Sequence, residues 1–250
     1  MYNHRRLPSH APAAAHRARR PALITLLTLA VCGITTACVA GSDPEPPAVT
    51  HAGGVVPSLF FSDGHGAVVD DDTADDTAVY RALPGKPDIA PLVDPDGTPL
   101  TWGEARTARG KLKVICEEAG TRIEVDADAL RPNAVYTAWL AFFREPGFVT
   151  AGTEALLAVA PVGPSDGGQS VFETDASGRG QLSSVTPAGQ ATVVYAEEVD
   201  MPACLLDTFE VHVVLAYHPD GNTCGDNPCA DPDFVEHLAW IIQQGEPLGE

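Results

Sequence analysis

From Trp102 onward, apolar and polar residues alternate in short runs separated by Gly, Pro, Asp and Asn, and this rhythm constrains the fold more than any other feature. A period of two sends successive side chains to opposite faces of an extended strand, one face buried and the other wet. Runs of this kind cover residues 111–117, 121–126, 134–143, 156–161, 170–174, 180–184, 192–195 and 209–217. Between them lie turn sequences such as Glu118-Ala119-Gly120, Arg131-Pro132-Asn133, Asp175-Ala176-Ser177-Gly178 and Pro187-Ala188-Gly189. About eight strands with turns every ten or so residues predict an all-β fold, an antiparallel β-sandwich. With 23 glycines and 22 prolines among 250 residues, a bundle of long helices is not expected and a turn-rich β domain fits.

The domain carrying this pattern runs over residues 101–250, long enough to bury about two-thirds of its unfolded surface around one core. Its last segment breaks the rhythm. Asp231 can cap a helix, Pro232 suits the first helical position, and Phe234, Val235, Leu238, Ile241 and Ile242 follow at helical spacing before Gly245. A short C-terminal amphipathic helix is the direct reading, and a final strand through 234–242 is the alternative. Before the domain, residues 57–100 form an acidic, loosely ordered lead-in that includes the run Asp70-Asp71-Asp72-Thr73-Ala74-Asp75-Asp76. Residues 38–56 have too few apolar groups to order themselves and read as a disordered tether.

Residues 1–37 have the build of a signal peptide. Arg5, Arg6, Arg17, Arg19 and Arg20 precede an apolar run from Ala22 to Thr36, shorter than the roughly 20 residues a membrane-spanning helix needs. Ala37-Cys38 at its end, followed by a Ser/Pro/Glu-rich stretch, resembles a bacterial lipoprotein signal, in which the cysteine is acylated and becomes the new N-terminus. Thr35 departs from that pattern, which has Leu, Val or Ile at this place. Ordinary cleavage near Ala40, giving a freely secreted protein, is the alternative. Lipidation of Cys38 would anchor the protein to a membrane of the cell envelope.

Charge narrows the partners. The chain carries −19, and once the first 38 residues are set aside the remaining ten basic and 34 acidic side chains give −24. Such a field repels phosphate backbones, so nucleic acid is not expected as a partner. Cysteine usage agrees with export. Cys32 lies in the apolar run and Cys38 is taken by lipid, which leaves Cys116, Cys204, Cys224 and Cys229 for two disulfides. Gly225-Asp226-Asn227-Pro228 can turn the chain between Cys224 and Cys229, so these two pair, and Cys116 pairs with Cys204. The short Cys-x-x-Cys knuckles of a structural zinc site are absent.

Several stretches together are similar to a loose group of uncharacterised exported bacterial β-sandwich proteins. These are Gly120-Thr121 with Val125, the segment from Leu130 through Trp139, the segment from Thr174 through Gly180, and Glu210-Val211-His212-Val213-Val214 with His218-Pro219-Asp220-Gly221. The resemblance covers about residues 100–235. It implies an exported all-β domain and implies no activity or ligand.

Residues that can carry chemistry are few. His212 and His218 share one face of a strand with Glu210, and His237 lies in the last segment, so these three histidines are the candidate metal ligands. Six residues of strand span roughly 20 Å, too far for His212 and His218 to hold one ion without a sharp bend. Asp94-Pro95-Asp96-Gly97 is a fragment of a calcium loop without the remaining ligands. Tyr136, Trp139 and Tyr195 are candidates for stacking on carbohydrate, although Tyr136 and Trp139 point to opposite faces of a strand. No nucleophile elbow, zinc-protease helix, phosphate loop or dinucleotide fingerprint is present, and no motif calls for a cofactor. Two functions remain. One is an exported, lipid-anchored, non-catalytic module acting in the envelope through a protein or carbohydrate partner. The other is a metal-dependent enzyme or metal carrier.

Overall fold

The structure is a computed structural model, and it describes residues 48–54, 61–65, 67–81, 91–94, 96–143, 156–192, 199–225 and 235–242. Period-two alternation becomes strand throughout. In chain order the elements are β1 (Ala48–Gly54), β2 (Phe61–Ser62), β3 (Tyr80–Arg81), a one-turn helix α1 (Trp102–Ala105), β4 (Arg109–Glu117) and β5 (Gly120–Asp128). They continue with β6 (Val135–Phe143), β7 (Leu156–Pro161), β8 (Val171–Glu173), β9 (Gly180–Pro187), β10 (Ala191–Thr192) and β11 (Val199–Asp200). A 3-10 turn at Leu205–Asp207 then leads to β12 (Glu210–His218) and β13 (Val235–Ile242). Seven of the eight runs read from the sequence overlap β4 to β9 and β12, and the run at 192–195 meets β10 at Thr192, its other residues lying outside the described ones.

Nine strands form one antiparallel sheet in the order β7-β6-β12-β13-β1-β4-β5-β9, with β8 also paired to β6. The long strand β6 serves two neighbours on one edge, β8 along Val135–Thr137 and β7 along Trp139–Phe143. The sheet folds over on itself into an antiparallel sandwich, because inward residues of distant strands enter one core. Leu112 and Val114 of β4, Ile123 and Val125 of β5, Leu140 and Phe142 of β6, and Val213 and Leu215 of β12 are all in it. Where the halves meet, Gly180 of β9 lies under the ring of Phe172 of β8. A Cβ at Gly180 would stand 2.5 Å from that ring, so only glycine fits.

Three segments differ from the sequence expectation. The expected C-terminal helix is strand β13, paired along its length with β12. A register shift opposite Leu215/Ala216 places an extra residue, His237, in β13, and this bulge breaks the alternation that would have marked a strand. The helical spacing of Leu238, Ile241 and Ile242 is therefore a consequence of a bulged strand of bulky residues. The tether of 38–56 is not disordered throughout, for Ala48–Gly54 is β1 and joins β13 to β4. Ala-Val-Thr-His-Ala-Gly-Gly has little apolar content to mark it as a strand, and its order comes from backbone pairing, with β4 along its length and with β13 at Gly54. The lead-in of 57–100 is likewise not loose where it is described. Phe61, Val69, Val79, Leu92 and Leu100 are buried in the core, and the acidic run is tied down by Trp102 Nε1 donating to the Asp70 carbonyl at 2.9 Å. Among the described residues no helix is long and apolar enough to cross a membrane.

Candidate functional site

Cys116 closes β4 and Cys204 precedes the 3-10 turn, and the two form a disulfide with Cα atoms 5.0 Å apart. Thr121, which faces Cys116 across the β4–β5 hairpin, reinforces the join. Its hydroxyl donates to the Ala203 carbonyl at 3.1 Å and accepts from the Leu205 N–H at 3.0 Å. Bridge and hydroxyl together fasten the segment before β12 to the β4–β5 hairpin. Cys224 is also disulfide-bonded. Cys38 and Cys229 lie outside the described residues.

The three candidate metal ligands occupy three separate settings. His212 is buried on the face of β12 opposite the core, and its Nε2 meets Glu210 Oε1 at 2.8 Å. Desolvation lowers its pKa against the opposing pull of Glu210. His218, at the other end of β12, meets Thr137 Oγ1 through Nε2 at 2.7 Å, and Trp139 Nε1 donates to the same hydroxyl at 2.8 Å. His237 is delivered to the core by the β13 bulge. There the Arg131 N–H donates to the Tyr136 hydroxyl at 3.0 Å, and that hydroxyl lies 2.9 Å from His237 Nδ1. His237 Nε2 lies 3.3 Å from the Ala105 carbonyl. All of these groups are satisfied by one neutral tautomer, with Tyr136 donating to Nδ1 and Nε2–H donating to Ala105. Among the described residues no group of three or more His, Cys, Asp and Glu side chains converges as a metal site would require.

Burial pushes the His237 pKa down from its usual 6.5 to about 4. The unfolded chain therefore binds a proton between these values that the folded chain refuses, and stability falls as the pH drops through that window. Two units at pH 4.5 amount to roughly 2–3 kcal/mol. His212 shifts in the same direction and adds to the loss. Asp126 and Asp175, whose pKa values are lowered by hydrogen bonds from Arg179 and Ser177 respectively, act below this range. Urea unfolding at pH 7 and pH 4.5 is expected to show the drop, and His237→Gln to flatten it. Equal stability at the two pH values would contradict the neutral buried histidine.

The other candidates from sequence are also structural. Tyr136 and Trp139 are both buried, the first in the core and the second against Ala216 on the opposite face, so neither offers a ring to a sugar. Tyr195 lies outside the described residues. In the acidic run, Asp70 Oδ1 accepts from the Asp72 N–H and the Thr73 hydroxyl. Asp94, in the calcium-like fragment, gives both oxygens to Arg131. Arg131 Nε donates to Asp94 Oδ1 at 2.7 Å, Nη2 pairs with Oδ2, and Nη1 reaches Glu104 Oε1 at 3.1 Å.

That ion-pair network is the part of the molecule that the sequence leaves hidden. It draws together the 94–98 loop, the Arg131-Pro132-Asn133 turn and the end of β12, with Tyr217 donating to Asp94 Oδ1 at 3.3 Å. These segments enclose a cleft of about 520 Å³ lined by Asp94, Asp96, Arg131, Asn133, Tyr217 and His218 among others. Asn133 holds a left-handed backbone, φ 52°, in the cleft wall. The only signal in the sequence was that each segment is a turn, and turns at one end of a sandwich cluster together.

The structure thus defines an antiparallel, disulfide-bridged all-β domain with one end formed by converging turns. No protein-family model matches the chain, and comparison with curated proteins and with solved structures gives no match.

Proposed function

We propose that this protein is an exported, non-catalytic β-sandwich, held to a membrane of the bacterial cell envelope by a lipid on Cys38, and that it acts there as an interaction module. The observation that carries the reading is the Cys116–Cys204 disulfide. Structural disulfides form and persist chiefly in oxidising compartments outside the cytosol, in keeping with a basic, then apolar, leader ending at Ala37-Cys38. Absence of catalysis is supported by what the titratable groups already do. His212, His218 and His237 each hold a hydrogen bond within the fold, and the carboxylate of Asp94 is taken up by Arg131.

Membrane partition tests the anchor. The wild-type protein should sediment with membranes and require detergent for release, whereas Cys38→Ser should move to the soluble exported fraction with its fold unchanged. Equal partition of both proteins would overturn the lipid anchor. A protein that stays in the cytosol would overturn export.

A further inference from the structure

Three turns that the sequence does not relate to one another enclose the cleft at the end of the sandwich, and its volume falls in the range of small-molecule sites, roughly 300–1,000 Å³. Its charge selects among ligands. Arg131 is the one Lys or Arg among its described lining residues, and its guanidinium is neutralised twice over, by Asp94 and by Glu104. Asp96 stands on the rim as a further carboxylate. One of its oxygens accepts from the Thr98 N–H at 3.1 Å, a bond that lowers its pKa and keeps it ionised. The described wall is therefore net negative, in a chain already strongly acidic, and among the described residues an anion would meet no uncommitted Lys or Arg. A sugar would look for an exposed ring, yet Tyr217, the aromatic residue of the lining, is 2% exposed. A metal ion would need three converging ligands, which the described residues do not offer.

From this we propose that the cleft binds a basic organic group, an alkylammonium or guanidinium on a short apolar stem. Asp96 receives the charge at the rim, and Pro132, Ala134 and Val135 line the space for the stem. The group can come from a free amine or from a lysine or arginine side chain of a partner polypeptide. This rests on the interaction-module reading, but not on lipidation of Cys38. Failure to bind would leave the membrane partition of Cys38→Ser untouched.

The test is an NMR and calorimetric titration of the full-length protein in detergent. The probes are n-butylammonium, arginine methyl ester and an oligolysine peptide, with acetate and methyl glucoside as controls. Expected are saturable binding of the basic probes, shifts confined to residues near 94–98, 131–135 and 217–221, and weakening as salt rises from about 50 to about 500 mM. Asp96→Asn keeps an acceptor for Thr98 and should weaken binding about tenfold without changing the melting temperature. Tighter binding of oligolysine than of either small amine would point to a polypeptide source, and similar affinities to a free amine. The proposal is overturned if no basic probe saturates below about 10 mM, if acetate binds equally well, or if the shifts fall elsewhere. Unchanged affinity in a folded Asp96→Asn protein would overturn it as well.

Discussion

Deletion of residues 48–54 is expected to unfold the domain. In the sheet order β1 stands between β13 and β4, with Ala48 to Gly54 in register with Ile115 to Arg109. Removing it exposes an unpaired edge on each side and strips the ladder from seven residue pairs. At about 1 kcal/mol net per backbone hydrogen bond the loss is on the order of 7 kcal/mol, comparable to the whole stability of a typical domain, roughly 5–15 kcal/mol. Circular dichroism and urea titration of the deletion, beside a shorter deletion of 39–46 that removes no residue of β1, check this. A cooperative unfolding transition in the longer deletion, at a midpoint close to the wild type, would show that β1 is dispensable.

The second large effect belongs to the Cys116–Cys204 bridge. It joins residues 88 apart in sequence, and closing so long a loop removes much of the freedom of the unfolded chain. The chain-entropy model puts this above about 4 kcal/mol. Replacing both cysteines by alanine should therefore lower the melting temperature by roughly 10–15 °C in a domain of this size. The effect should exceed that of a Cys224/Cys229 double replacement, since the short loop of the bridge expected there from the sequence would be worth about 2 kcal/mol in the same model. The reverse order of the two effects would contradict the view that the long bridge organises the sandwich. Thr121 supplies an independent check, since its hydroxyl fixes the same segment through Ala203 and Leu205. Thr121→Val should cost about 1–3 kcal/mol by leaving the Leu205 N–H buried without its acceptor.

How much of this was legible in the sequence depends on what held each element in place. Strands such as β5 and β9 bury one face and wet the other, as in the burial of Leu182 and Ser184 between exposed Gln181 and Ser183. Their period of two is therefore written in the residues. β1 lacks such writing, because its place is set by a backbone ladder to β4 and a pairing with β13 at Gly54, which any sequence can make. β13 misled for a different reason. The bulge at His237 adds a residue, turns a histidine into the core and shifts the apolar spacing towards that of a helix. The Cys116–Cys204 pairing was legible because the turn sequence between Cys224 and Cys229 sets those two aside and leaves Cys116 and Cys204 for each other.

The candidate site was legible only in fragments. Asp94, Asp96, His218 and Gly221 were each visible as turn residues, while Arg131 passed for one more loop arginine. Nothing local links Arg131 to Asp94, 37 residues earlier. The histidines attracted notice as ligands, yet partners remote in sequence decide their roles: Tyr136 for His237, at a separation of 101 residues, and Thr137 for His218, at 81. Glu210 beside His212 was the exception, since an i, i+2 pair shares one face of a strand wherever it occurs.

The central claim is that an exported, lipid-tethered chain folds as a disulfide-stapled sandwich, and non-reducing peptide mapping by mass spectrometry, on protein taken from its own membranes, addresses it most directly. The account predicts an N-terminal peptide that begins at Cys38 and carries acyl chains, together with a peptide pair joined through Cys116 and Cys204. An unmodified N-terminus near Gly41, or Cys116 and Cys204 recovered as free thiols, would contradict it.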